Sequence, residues 1–124
     1  MDLGAFSISL PVQDLAASID FYGTLGFAPT GGDVDEGWCI LRNDAGVTVG
    51  LFVGMFDEPM LTFNPGLAQD MSETSGYTDV REAQARLVAA GHDPIEAVDE
   101  SGSGPGHLVV RDPDGHLIMI DQFR

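Results

Sequence analysis

Two pairs of side chains near the ends of two turns carry most of the chemistry this sequence offers. His107 and Asp121 flank the run Asp112-Pro113-Asp114-Gly115, and Trp38 and Phe52 flank Asn43-Asp44-Ala45-Gly46. A carboxylate facing an imidazole across two strands can orient it as a general base, so the first pair is a weak candidate acid–base couple. Two aromatic rings on one strand face offer a stacking surface to a planar ligand. The plainer alternatives are a surface His at a strand entrance and aromatics that fill a core. Ser7 and Ser9 add hydroxyls that could face the same hollow. His92, after the Gly91 helix stop, and His116, after the second turn, read as surface residues.

The turn residues fix which side chains meet. Asp112 first, Pro113 second and Gly115 last suit a type I turn closed by a left-handed glycine. Counting outward, Val109 falls opposite Met119 and His107 opposite Asp121. The matching turn sets Ile40 opposite Gly50 and Trp38 opposite Phe52. Two-residue alternation then sorts the faces. Phe6, Ile8, Leu10 and Val12 part from Ser7, Ser9 and Pro11; Val47, Val49, Leu51 and Val53 part from Thr48, Gly50, Phe52 and Gly54; Ile118 and Ile120 part from Leu117, Met119 and Asp121. The branched faces are expected under helices, and the mixed faces are left for a cavity or a partner. Cys39 falls on the helix side, a poor position for a nucleophile.

These elements repeat. Val12–Pro29 aligns with Tyr77–Pro94 at an offset of 65, each reading as a helix with an Asp N-cap (Asp14, Asp79) and a Gly stop (Gly26, Gly91). Gly37–Phe52 aligns with Gly106–Asp121 at an offset of 69. The fold expected is α+β: two strand-helix-strand-strand-strand copies in a single domain over 1–124, with the first module at 1–55, a linker at 56–70 and the second module at 71–124. The first strand of the second copy is either PMLTFNP or the run before Tyr77. Asn64 reads as a turn residue, and Ser101–Gly106 (SGSGPG) as a flexible loop or a lid over a cavity rather than a phosphate loop.

Composition narrows the partners. Twenty acidic residues against five arginines and no lysine give a formal charge of −15. Nucleic acid is repelled by such a surface, since binding depends on Lys and Arg neutralising phosphates. The excess serves solubility or draws a cationic ligand. No run is apolar enough to span a bilayer and the first residues do not resemble a signal peptide, so a cytoplasmic protein without membrane association is expected.

The opening PVQDLAASIDFYGTLGF, the closing RDPDGHLIMIDQF and the two repeats resemble the vicinal oxygen chelate superfamily over nearly the whole chain. That group includes glyoxalase I, extradiol dioxygenases, fosfomycin-resistance enzymes and bleomycin-binding proteins. The resemblance implies two βαβββ modules curled into a half-barrel of mixed sheet, helices on the convex face, ligand inside, and often a homodimer. It also implies metal-ligand positions early in the first strand and midway along the last strand of each module. On this chain those positions are Ser7, Gly50, a residue near Ser72, and Met119, with Glu73 as a substitute at the third. A hydroxyl, a glycine and a thioether are not the imidazole and carboxylate donors that Zn, Ni, Mn or Fe take. Neither metal nor other cofactor is expected, and Met119 becomes a pocket-wall residue or ordinary packing.

The function expected is metal-independent binding of a small molecule, cationic or aromatic, in the concave pocket. Ser7, Ser9, Trp38, Ile40, Gly50 and Phe52 would line it from the first module, and His107, Val109, Met119 and Asp121 from the second. One alternative is a lyase, isomerase or dioxygenase of the same superfamily acting with a metal or through His107. The other is a structural or regulatory module whose cavity has collapsed and which acts through its dimer surface.

Overall fold

Asp14 and Asp79 start the two helices in the same way. Each sits in extended backbone and accepts a hydrogen bond from an N–H of the first turn: Asp14 from Ala17 at 3.0 Å and Asp79 from Arg81 at 2.9 Å. Such caps are worth about 1 kcal/mol each. Both helices end two residues before a left-handed glycine, Gly26 (φ +94) and Gly91 (φ +88). The computed structural model describes every residue, Met1–Arg124. In chain order it contains β1 (Ala5–Pro11), α1 (Leu15–Thr24), β2 (Ala28–Asp33), β3 (Trp38–Arg42), β4 (Thr48–Phe52), β5 (Met60–Asn64), α2 (Val80–Ala89), β6 (Gly106–Arg111) and β7 (Leu117–Gln122). The strands form an open mixed sheet in the order β2-β3-β4-β1-β5-β7-β6. The fold is α+β, as expected, and no helix is long and apolar enough to cross a membrane.

The chain divides into two compact units. In Ser7–Met60 the core is Leu15, Cys39, Leu41, Val49 and Leu51, against which Ile8, Leu10, Val12, Ile19, Tyr22 and Phe27 pack. Leu41 and Leu51 are fully enclosed, each contributing about 1.5–3 kcal/mol. Pairing of β1 with β4 is parallel and of β3 with its neighbours antiparallel. Strand β2 is exposed along its whole length and broken by a bulge between Pro29 and Gly31. Phe6 belongs to the other unit, is 41% exposed and lies against Phe63 at 5.2 Å.

In the unit formed by Met1–Phe6 and Leu61–Arg124, Val80 and Ala83 of α2 pack on Leu108, Val110 and Ile120. The second copy is shorter by a strand than the repeat predicts. Where a strand should follow α2, only a bridge forms: Glu96 with Val109. Pro94 has no N–H to give to a ladder there. The PMLTFNP alternative is the one that forms a strand, so β5 lies inside the stretch read as a linker. Helices α1 and α2 start 65 residues apart (80 − 15), but β1 and β5 start 55 apart (60 − 5). The difference is a longer connection, Pro65–Asp79, folded on itself by the Leu67–Glu73 bridge. Ser72 lies there, exposed and bonded to Asp70, not on a strand; by the strand count Ser7 falls on Thr62.

A side-chain amide ties this unit together. Gln122 is 1% exposed; its Oε1 accepts from Val80 N at 2.8 Å, and its Nε2 donates to Asp79 Oδ2, Gly104 O and Arg124 O at 3.0–3.1 Å. Arg81 adds bonds to the carbonyls of Asp99, Gly104 and Pro105. The SGSGPG loop is thus fastened to the start of α2. Burial works to raise the Asp79 carboxyl, yet hydrogen bonds from Gln122 and Arg81 and the Arg81 charge outweigh it and hold the group below the usual carboxylate range. Replacing Gln122 by Leu strands the Val80 N–H and takes the amide donor from Asp79 Oδ2, and should lower unfolding free energy by about 1–3 kcal/mol. Denaturant midpoints of the two proteins check this.

Candidate functional site

With Leu41, Val49 and Leu51 turned toward α1, the other face of this unit is set by pairing. Trp38 lies opposite Phe52, Ile40 opposite Gly50 and Arg42 opposite Thr48, while Ser9 pairs with Gly50 on the other side. The turn that sets this register forms as expected, with Asn43 N to Val47 O at 3.1 Å and Gly46 at φ +82. The Trp38 and Phe52 rings are parallel to within 2° with centroids 6.1 Å apart, an offset stack. Phe56, which no periodicity in the sequence pointed to, extends the cluster at 5.3 Å from Phe52. Trp38, Ile40, Phe52 and Ser7 are half-buried, and Ser9 is buried.

Gly50 matters for what it leaves room for. A Cβ there would stand 2.7 Å from Phe52 Cε2 and 3.3 Å from Ile40 Cδ1, so the Phe52 ring edge occupies the space any side chain at 50 would need. A metal-ligating residue has no place at that position while Phe52 holds this rotamer. At the equivalent positions Ser7 and Thr62 carry hydroxyls and Met119 a thioether, a set that does not fit a divalent ion. No group of three or more His, Cys, Asp or Glu side chains is arranged to hold one either.

In the other unit, His107 pairs with Asp121 and Val109 with Met119, the expected register. Ile118 and Ile120 pack toward α2, so Met119 and Asp121 share the opposite face with His107. The expected imidazole–carboxylate hydrogen bond is redirected: His107 Nε2 meets Glu96 Oε2 at 3.2 Å, both side chains at least half exposed. Glu96 arrives through the bridge that replaces the missing strand. Asp121 is partly enclosed and burial raises its carboxyl above the usual range, with the nearby His107 charge pulling the other way. Asn64 is buried and donates Nδ2 to the Asp121 carbonyl on a strand distant in sequence at 2.9 Å, not to a turn of its own as expected. His116 is exposed, as expected, and bonds Asp112 in its own turn at 2.9 Å. A separate depression of about 530 Å³ beside α1, lined by Leu10, Pro11, Val12, Ala17, Phe21 and Pro59 among others, contains neither aromatic of the ring pair. Its one charged lining residue, Asp14, is already committed as the helix cap.

Two outcomes follow from this geometry. Gly50→Ala forces the Phe52 ring aside; it should cost about 1–3 kcal/mol and shift the emission of Trp38, the single tryptophan, as read by denaturation and fluorescence. Asp121→Asn removes a carboxylate whose charging is opposed by burial. Because the folded group titrates above its unfolded value, the cost exists at neutral pH and vanishes once both states are protonated. The variant should therefore melt at a higher temperature at pH 7, with the gain gone by about pH 3; equal gains at both pH values would contradict the assignment.

The comparisons with known proteins agree on the fold. A structure described as NAD-dependent benzaldehyde dehydrogenase from Legionella pneumophila superposes with a TM-score of 0.70 at 18% identity, covering 96% of this chain and 99% of that one. A glyoxalase/bleomycin resistance protein/dioxygenase superfamily member from Vibrio splendidus gives 0.64 at 19% identity, covering 94% and 97%. Methylmalonyl-CoA epimerase from Mycobacterium tuberculosis gives 0.66 at 17% identity, covering 100% and 91%. At such identities the likeness speaks for the fold alone. No protein of curated function matches the sequence. The profile of one family matches residues 4–120, and with it the chain belongs to the Glyoxalase/Bleomycin resistance protein/Dioxygenase superfamily.

Proposed function

We propose that this protein binds a small molecule without a metal, and that the ligand carries a planar apolar part that stacks at Trp38 and Phe52. The observation that carries the reading is the parallel, half-buried ring pair on the sheet face turned away from α1. Flat rings held by cross-strand pairing present a π-surface with little ordering left to do on binding, which favours affinity. Gly50 and Ile40 extend that surface with apolar contact, and Ser7 and Ser9 border it. The overall acidity would favour a cationic ligand at long range, but the rings themselves are indifferent to the ligand's charge. A cytoplasmic homodimer belongs to the same reading.

A second reading rests on the other unit. A carboxyl raised by burial, an imidazole facing it and a second carboxylate bonded to that imidazole are the parts of a proton-transfer site. It corresponds to a metal-free isomerase or lyase working through His107, with Val109 and Met119 as the apolar floor.

The two readings separate by experiment. Planar aromatics of several kinds, titrated while Trp38 fluorescence is followed, should quench or shift its emission with saturation, and Trp38→Ala should weaken binding by about tenfold or more. Flat titrations with every compound would sink the binding reading. Elemental analysis of protein purified without chelator should find no stoichiometric Zn, Ni, Mn or Fe. Any lyase or isomerase turnover that survives chelator and disappears in His107→Ala would favour the second reading; turnover indifferent to His107 would remove it.

A further inference from the structure

We infer that Arg42 is a recognition site for the carboxylate of an organic acid whose apolar part lies toward Trp38 and Phe52. The identification of the apolar half rests on the binding reading above; the anion half rests on Arg42 itself.

The chain has five arginines, and four of them have acceptors. Arg81 bonds Asp79 and loop carbonyls, Arg86 bonds Glu82 at 2.8 Å, Arg111 bonds Gly115 O at 2.8 Å, and Arg124 bonds Gly66 O at 2.9 Å. Arg42 bonds nothing. Its Nε is buried without a partner, while its Nη groups, which make no hydrogen bond, are not buried. Arg42 is also the one basic residue of the unit Ser7–Met60, beside eight acids: Asp14, Asp20, Asp33, Asp35, Glu36, Asp44, Asp57 and Glu58. In such surroundings a guanidinium finds a carboxylate easily unless the fold holds it away from all of them. The buried Nε–H is closed to any ligand; a carboxylate would meet the open Nη groups, the part of the guanidinium left to make bonds.

Position supplies the rest. Strand alternation puts Arg42 on the face that carries Ile40 and Trp38, because Cys39 and Leu41 are in the α1 core. Along that face the order is aromatic (Trp38 and Phe52), apolar (Ile40 above Gly50) and cationic (Arg42 beside Thr48). The strip spans about 13 Å of strand. Guanidinium binds carboxylate through two parallel N–H bonds and is weakly hydrated, which suits it to this task better than Lys. The net charge of −15 does not forbid an anion here. At physiological salt the field of distant carboxylates is screened beyond about 8 Å, whereas the guanidinium acts at contact.

The test uses the intact protein, 2-naphthoate and its neutral counterpart 2-naphthamide. Proton–nitrogen spectra read the Trp38 indole N–H and the Arg42 Nε–H in one titration. Expected are saturable shifts at both groups with the acid, binding about tenfold tighter than the amide, and loss of that advantage in Arg42→Gln. Should the variant fold poorly, the acid–amide comparison on the wild-type protein decides alone. If both compounds shift Trp38 alike and Arg42 does not move, the carboxylate assignment is overturned and the stacking reading stands. If the acid moves Arg42 but not Trp38, the anion site stands and the stacking reading falls. Silence at both groups overturns both.

Discussion

Burial of Cys39, Leu41, Val49 and Leu51 against Leu15 of α1 is the contact on which the candidate site in Ser7–Met60 depends. A strand has two faces and the helix takes one of them. Once the odd-numbered residues of β3 are committed to the core, Trp38, Ile40 and Arg42 have one direction left. A shift of register by a single residue would bury the guanidinium and expose Leu41, exchanging a favourable burial for an unpaired charge. The ring pair and the cationic end of the strip are therefore consequences of core packing, and no local propensity of their own places them.

Much of this was legible in the residues. Turn chemistry carries its geometry with it: Asp112–Gly115 and Asn43–Gly46 define the pairing of the strands beside them because each turn type admits one register. Helix caps are equally local, and Asp14 and Asp79 both cap where the repeat places them. The limits of the reading are long-range. The offset of 65 holds for helices but fails for first strands, since the connection Pro65–Asp79 adds length where the first copy has a short turn. A loop has no periodicity to betray its extra residues, so Ser72 was placed on a strand that lies at Met60–Asn64.

Side-chain partners distant in sequence were hidden for a similar reason. Gln122 reads as one more polar residue near the C-terminus, yet it closes the backbone at the start of α2 and in the loop before β6. Glu96 reaches His107 only because a bridge, not a strand, brings it there. The chain belongs to the superfamily, and its two units carry different groups: rings and a guanidinium in one, titratable carboxyl and imidazole groups in the other.

The exposed edge strand β2 has an effect on the protein's behaviour in a crowded solution. Its backbone could in principle template a second chain, but Pro29 lacks an N–H, the bulge after it interrupts the pleat, and Asp33 places charge at its end. Edge-to-edge lengthening of the sheet by a second chain is thereby discouraged at this border.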